Sequence, residues 1–292
     1  MSSNNQQPFD PEQFKAQQQK MWDGVAAGWQ SWWQTFEEGA NRVSDKLVQM
    51  ADLKPGDKVL DIATGIGEPA VTAARRVGAG GKVMATDLST QMISIAKSRA
   101  KSLGLDDVME FRVSDAENLM ELQSASFNAV LSRWGLMFLP NLSRALGSIR
   151  QLLVPGGRFA AAVWSGPAKV PILDLPYSIV RKEINVPPPP KGTPGPFALA
   201  DVEALKNSFQ SAGFREIRVE AIETTFRFDS AESFTRFQQQ VAAPINALLA
   251  KESDEKRKQT WDALTNATKE KFGDSSGRVS FTNEAICIAG TN

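Results

Sequence analysis

The chain has 292 residues, 42% of them apolar, with 33 basic and 33 acidic side chains, so no net field draws it to nucleic acid or an anionic membrane. It has no histidine, which excludes histidine-based triads and zinc sites and removes the commonest general base; no metal is expected. A single cysteine, Cys287, excludes an internal disulfide and, inside the run Ala285-Ile-Cys-Ile-Ala289, reads as a buried strand residue.

Residues 1–7 are polar and lack signal-peptide features, and no apolar run reaches membrane-spanning length. The expected location is cytoplasmic, with no transmembrane segment. Residues 1–12 read as disordered. Trp22, Val25, Trp29, Trp32 or Trp33, and Phe36 then recur at helical spacing. Their aromatic face either packs a cap onto the core or also walls a pocket. A second helix is expected over 41–51, ending at the turn Leu53-Lys-Pro-Gly-Asp57.

From there strands and helices alternate, which predicts a parallel sheet covered on both faces. Strands are expected at 59–62, at 82–86 ending on Asp87, at 108–113 ending on Asp115, at 127–132 and at 158–164. Helices fall between them, at 69–77, after a Ser89 cap, and through Leu142, Leu146, Ile149 and Leu153. Residues 166–200 hold most of the prolines and predict an extended, semi-rigid insertion over the sheet edge or mouth, as connector or as lid. Beyond it come a helix at 201–212, a strand at 214–221, a helical insertion at 230–272 kinked at Pro244, a solvated charged run at 251–258 and a closing strand at 279–289.

One stretch organises the rest: Val59-Leu-Asp-Ile-Ala-Thr-Gly-Ile-Gly-Glu-Pro-Ala70 reads as strand, glycine turn and helix start. Free amides at a helix start attract a phosphate or a carboxylate. With Asp87 about 20 residues on, the turn also matches a dinucleotide-binding pattern. Against that, Asp61 stands within the strand end, and Thr64-Gly65 occupies the place where the dinucleotide pattern has glycine directly after the strand. Asp61, Asp87 and Asp115, at the ends of three consecutive strands, would line one crevice and suit a ligand with an amine, a ribose and an adenine amino group.

Four motifs stand in order: the glycine turn, Val83-Met-Ala-Thr-Asp-Leu-Ser89 with Met92, Val113-Ser-Asp-Ala116, and Leu153-Val-Pro-Gly-Gly-Arg-Phe159. On them, over about residues 50–165, the chain resembles class I S-adenosylmethionine (SAM)-dependent methyltransferases, in particular the ubiquinone/menaquinone branch. The resemblance implies an α/β, Rossmann-like fold: a seven-stranded, mostly parallel sheet with an antiparallel closing strand, a helical N-terminal cap and insertions. One domain would span 1–292, with the cap at 1–50 and the SAM-binding core at 51–165. It implies a cofactor set in which Thr64, Gly65 and Gly67 approach the methionyl part of SAM and Asp61 lies near its amino group. Asp87 would hold the ribose, Leu88 and Met92 would touch adenine, and Asp115 with the Ala116 backbone would read the adenine edge.

Arg133 joins that set, or binds an acidic substrate group, or pairs with a carboxylate such as Glu38 or Glu117. Trp29, Trp33, Trp134, Met137, Phe138, Trp164, Tyr177 and Phe197 are the substrate-facing residues. The implied reaction is in-line methyl transfer to a small organic acceptor, driven by positioning and desolvation without a histidine base. The rivals are an NAD(P)-dependent oxidoreductase and a SAM-binding protein without methyl transfer.

Overall fold

The computed structural model describes residues 10–119, 121–190 and 192–292. Helix α1 (Pro11–Ser31) starts on a side-chain cap: Asp10 accepts the N–H groups of Glu12 and Gln13 at 2.9 and 3.3 Å, and Pro11 takes the first helical position. Of the stretch expected to be disordered through residue 12, residues 10–12 form a helix cap and first turn, and residues 1–9 lie outside those described. Trp32 alone separates α1 from α2 (Trp33–Met50). The expected break between Phe36 and Asn41 is absent, because Phe36, Gly39, Ala40, Val43 and Leu47 keep one buried stripe in helical register. At Gly39 an added Cβ would stand 2.5 Å from the Phe226 ring, so only glycine lets α2 lie this close.

The alternating core follows: β1 (Lys58–Ile62), α3 (Ala70–Val77), β2 (Lys82–Asp87), α4 (Thr90–Ser102), β3 (Met109–Val113), β4 (Phe127–Arg133), α5 (Leu142–Leu152) and β5 (Leu153–Trp164). Then come α6 (Pro171–Ile184), α7 (Val202–Ser211), β6 (Arg215–Phe228), α8 (Ala231–Val241), α9 (Ala243–Leu249), α10 (Asp254–Phe272) and β7 (Val279–Thr291). The strands form one seven-stranded sheet in the order β3-β2-β1-β4-β5-β7-β6. β1 to β5 pair in parallel, and β7 runs antiparallel to both its neighbours, which is the expected fold class. Val59, Leu60, Ile62, Ala129, Val130 and Leu131 are all but inaccessible, as strands covered on both faces require. Strand order reverses between β1 and β4, and the carboxyl ends of strands at such a reversal leave a crevice for ligands.

Three boundaries differ from expectation for physical reasons. β5 begins at Leu153, because Phe127 pairs with Leu153 and Ala129 with Arg158, and the intervening Pro155-Gly-Gly157 bulges out of the strand. The insertion at 166–200 holds a 14-residue helix, α6, where extended chain was expected. Pro171 occupies its first turn, where a missing N–H costs nothing, and Ile172, Leu175, Pro176 and Val180 make its buried face. β6 runs on to Phe228, because β7 offers it partners as far as Val279. Cys287 is buried on β7 opposite Ala162, and burial pushes its thiol up to about 12, which keeps it inert.

Candidate cofactor and acceptor site

A cavity of about 260 Å³ opens at the carboxyl ends of β1, β2 and β4, with residues of α1, α2, α6, α8 and α9 closing over it. Its floor is the glycine turn. Ala63 and Trp134, the residues after β1 and β4, both adopt left-handed backbone (φ 56° and 60°), a conformation costly for non-glycine residues and concentrated at functional sites. Gly65 (φ 56°) lines the cavity, and a Cβ there would meet nothing within 4 Å. Gly67 (φ 107°) faces Ala96 and Val71 instead, off the cavity wall.

Asp87 closes the second strand end with its carboxylate on the wall: one oxygen accepts the Gly65 N–H at 2.8 Å, the other the Ser89 N–H at 2.9 Å. Burial raises its pKa, and those amides oppose the rise. Ser89 caps α4 as expected, and its hydroxyl donates to Asp23 of α1 at 2.6 Å. The cap is thereby tied to the core beside the expected ribose site.

Asp61 is fully buried behind the turn. One oxygen accepts the Ala70 N–H at 3.0 Å; the other has no hydrogen-bond partner, nor has the Thr64 hydroxyl beside it. Burial pushes this carboxyl up to about 8 against the opposing influence of Thr64 and the Arg133 charge. Between its ordinary 3.8 and 8 the unfolded chain has lost this proton while the folded chain retains it. Stability contributed by the protonated group is therefore present below 3.8 and drains away as pH rises to 8. Asp61→Asn is expected to flatten the fall of Tm across that window. Thermal melts at a series of pH values test this, and a slope matching wild type refutes it.

At the third strand end, Asp115 accepts the Glu117 N–H at 2.9 Å and pairs with Lys15 of α1 at 2.8 Å. Lys15 also meets Glu117 at 3.1 Å and Glu12 at 2.8 Å. The wider wall is aromatic. Trp134 stacks on Trp164 at 4.1 Å and 12°, Phe36 meets Trp134 edge-on at 5.6 Å, and Trp29 meets Phe36 at 4.7 Å. Arg133 lies over Trp134 and Phe36 (5.1 and 5.7 Å), and its guanidinium grips both oxygens of Glu37 at 2.7 and 3.1 Å and the Ser44 hydroxyl at 2.8 Å. The partner of Arg133 is therefore Glu37, neither Glu38 nor Glu117.

Of the residues singled out in the sequence, Thr64, Gly65, Asp87, Leu88, Met92, Asp115, Ala116 and Arg133 share this wall with Trp29, Trp134, Met137, Phe138, Trp164 and Tyr177. Asp61, Gly67, Trp33 and Phe197 do not reach it. Trp33 packs instead under the Arg99 guanidinium at 4.7 Å, and Phe197 packs on the main core while Pro196 takes the wall. Trp22, the first residue of the expected aromatic face, also lines the wall, whereas sequence reasoning missed Lys15 and Gln18, which share the spacing of Trp22 and Trp29 on one face of α1 and were readable by extending that stripe backwards. It also missed Glu37, Glu68, Phe226 and Gln238. No local signal marks Phe226 or Gln238.

The strand order is that of the class I SAM-dependent methyltransferase fold. Residues 53–180 match the family model of the methyltransferase domain, and the chain resembles the ubiquinone/menaquinone branch. Methyltransferase GfsG of Streptomyces halstedii is 31% identical over 43% of this chain and 44% of its own length. Demethylmenaquinone methyltransferase of Symbiobacterium thermophilum is 26% identical over 55% of this chain and 64% of its own. The chain spans about half the length of the curated relatives it matches. Among solved structures, the [4+2]-cyclase SpnF shares the fold with a TM-score of 0.60 at 20% identity, covering 94% of this chain and 96% of that one. No helix among the described residues is long and apolar enough to cross a membrane.

Proposed function

We propose that this chain, acting as one domain, binds SAM and transfers its methyl group to a small organic acceptor. The observation that carries the reading is the placement of Asp87 and Asp115 on one cavity wall at the strand-order reversal, beside an aromatic chamber. The residues fit the cofactor. Gly65 leaves open space where a side chain would block a ligand, and Asp61 and Thr64 hold unsatisfied polar atoms beneath the turn.

When bound, SAM supplies an electrophilic methyl group on a sulfonium sulfur. The protein's part is to bind, orient and exclude water. Asp87 would hold the ribose hydroxyls, Asp115 and the Ala116 backbone the adenine edge, and Leu88 and Met92 the adenine faces. Asp61, buried behind the turn, would lie near the amino group, and Arg133 would stand beside the cofactor as half of its ion pair with Glu37. Trp29 and Trp134 turn aromatic surface to the chamber, which favours a cation. Tyr177, whose phenol burial pushes up to about 12, stays protonated at neutral pH and serves as a hydrogen-bond donor to the acceptor, not as a base. With acceptor and methyl held in line in a dry chamber, orientation supplies much of the rate.

Calorimetry with SAM, S-adenosylhomocysteine and NADH, followed by incubation with SAM and candidate acceptors, tests the proposal. Binding of the first two and formation of S-adenosylhomocysteine with a methylated product are expected. Binding of NADH alone sinks the reading, and SAM binding without product from any acceptor reassigns the chain to SAM binding without transfer. Trp29 has an indole N–H with no partner. Trp29→Phe is accordingly expected to leave Tm within about 2 °C of wild type while lowering turnover several-fold. A large fall in Tm with normal turnover would make Trp29 a packing residue only.

A further inference from the structure

The chamber's charge balance bears on what it accepts. Among the described residues on its wall there are two cations, Lys15 and Arg133. Lys15 is shared by Glu12, Asp115 and Glu117, and Arg133 is clamped by both oxygens of Glu37. Of the remaining wall carboxylates, Asp115 is already paired with Lys15 and Glu68 meets Arg99 at 3.5 Å, which leaves Asp87, held by backbone N–H groups, without a cation among the described residues. An anionic acceptor would therefore meet no unpaired positive charge and would face the unpaired Asp87 carboxylate.

The polar groups that do lack partners are neutral. The indole N–H groups of Trp29 and Trp134 are buried donors with nothing to bond. Gln238 is 2% exposed and spends its amide N–H on the Ile172 carbonyl at 3.3 Å, leaving its own carbonyl oxygen available. Around them stand Phe36, Trp164, Ile172, Phe226, Phe237 and Ile245. Unpaired donors and an amide oxygen in apolar walls match hydroxyl and carbonyl oxygens on an otherwise apolar molecule.

We propose that the Glu37–Arg133 clamp makes this chamber select uncharged, largely apolar acceptors bearing hydroxyl or carbonyl oxygens, with Glu37 the specificity-determining residue. The inference rests on the methyl-transfer reading. Glu37 lies on α2, outside the matched 53–180 segment, so the N-terminal cap would set acceptor charge while the matched core would hold the cofactor. Specificity here is a matter of removing an attraction that a free Arg133 would offer to anions.

A matched pair of probes tests it: 2-naphthol, neutral at pH 7, and 2-naphthoate, its anionic counterpart. Binding is read by calorimetry and tryptophan quenching, with and without S-adenosylhomocysteine, on wild type and Glu37→Gln. Wild type is expected to bind naphthol at least about tenfold more tightly than naphthoate. Glu37→Gln, freeing Arg133, is expected to gain about tenfold for naphthoate with naphthol little changed. Equal binding of the two probes by wild type, binding of neither, or an unchanged ratio in a folded Glu37→Gln protein overturns the proposal. The wild-type ratio decides the acceptor class even if Glu37→Gln fails to fold. S-adenosylhomocysteine binding without probe selectivity overturns this inference alone; selectivity without S-adenosylhomocysteine binding overturns the methyl-transfer reading alone.

Discussion

Asp87→Ala is expected to weaken S-adenosylhomocysteine binding about 100-fold, a loss of roughly 3 kcal/mol from two charge-assisted hydrogen bonds. A carboxylate offers about four lone-pair sites, and the Gly65 and Ser89 amides take one from each oxygen. The remaining sites are the ones left for a pair of hydroxyl donors in the cavity that Asp87 lines. Those two amides also hold the carboxylate in place before any ligand arrives, so little is lost to ordering it on binding. Removal further unties the glycine turn, which adds about 1 kcal/mol of lost stability. Asp87→Asn separates the two effects: one amide oxygen remains to accept an N–H, but the charge is gone, so affinity should fall with less loss of Tm. Titration calorimetry and thermal melts on both variants decide the matter, and unchanged affinity in the alanine variant removes Asp87 from the cofactor site.

Arg133→Met is the second large effect and acts on the fold. The substitution keeps an apolar stem against Phe36 and Trp134 but leaves the Glu37 carboxylate in a site where its side chain is 12% exposed. Breaking a buried pair from one side costs about 3 kcal/mol or more, which for a chain of this size lowers Tm by roughly 6–12 °C. Burial and the neighbouring Glu37 charge already raise the pKa of Glu68, and Arg133 opposes both. Loss of the cation removes that opposition at Glu68, whose carboxyl then takes up a proton more readily, so the variant should recover part of its stability as pH falls. The double variant Glu37→Gln with Arg133→Met removes the stranded charge and should melt above the single Arg133 variant. Additive losses would show that the pair is not coupled.

The reach of the sequence follows from the range of the interactions. Asp87 and Asp115 were legible on the crevice because strand ends are marked locally, by an apolar run and then a polar residue. Glu37 was not. Placing a helix break near residue 40 lost the phase of α2, and on a helix one residue is a rotation of about 100°, enough to exchange Glu38 for Glu37 as the inward carboxylate. Lys15 could be placed on the inner face of α1 by its spacing, but its ion pair with Asp115 could not, because the two stand 100 residues apart and no local pattern encodes such a pairing. α6 was obscured by its own prolines, whose number suggested extended chain although Pro171 stands where a helix tolerates it. Phe226 and Gln238 reach the chamber only because β6 and α8 fold back over it, a consequence of the whole topology.

β7 is later in the chain than β6 yet lies between β5 and β6, bonded to both. During ribosomal synthesis β1 to β5 emerge in an order that lets each find a neighbour already made, whereas β6 must wait through the three helices α8 to α10 for the strand that joins it to the sheet. Phe226, which packs on Phe36 at 5.1 Å and lines the chamber, waits with it. The last wall of the proposed acceptor site is thus set after translation has passed residue 279, while the strand ends that would hold the cofactor can already be paired.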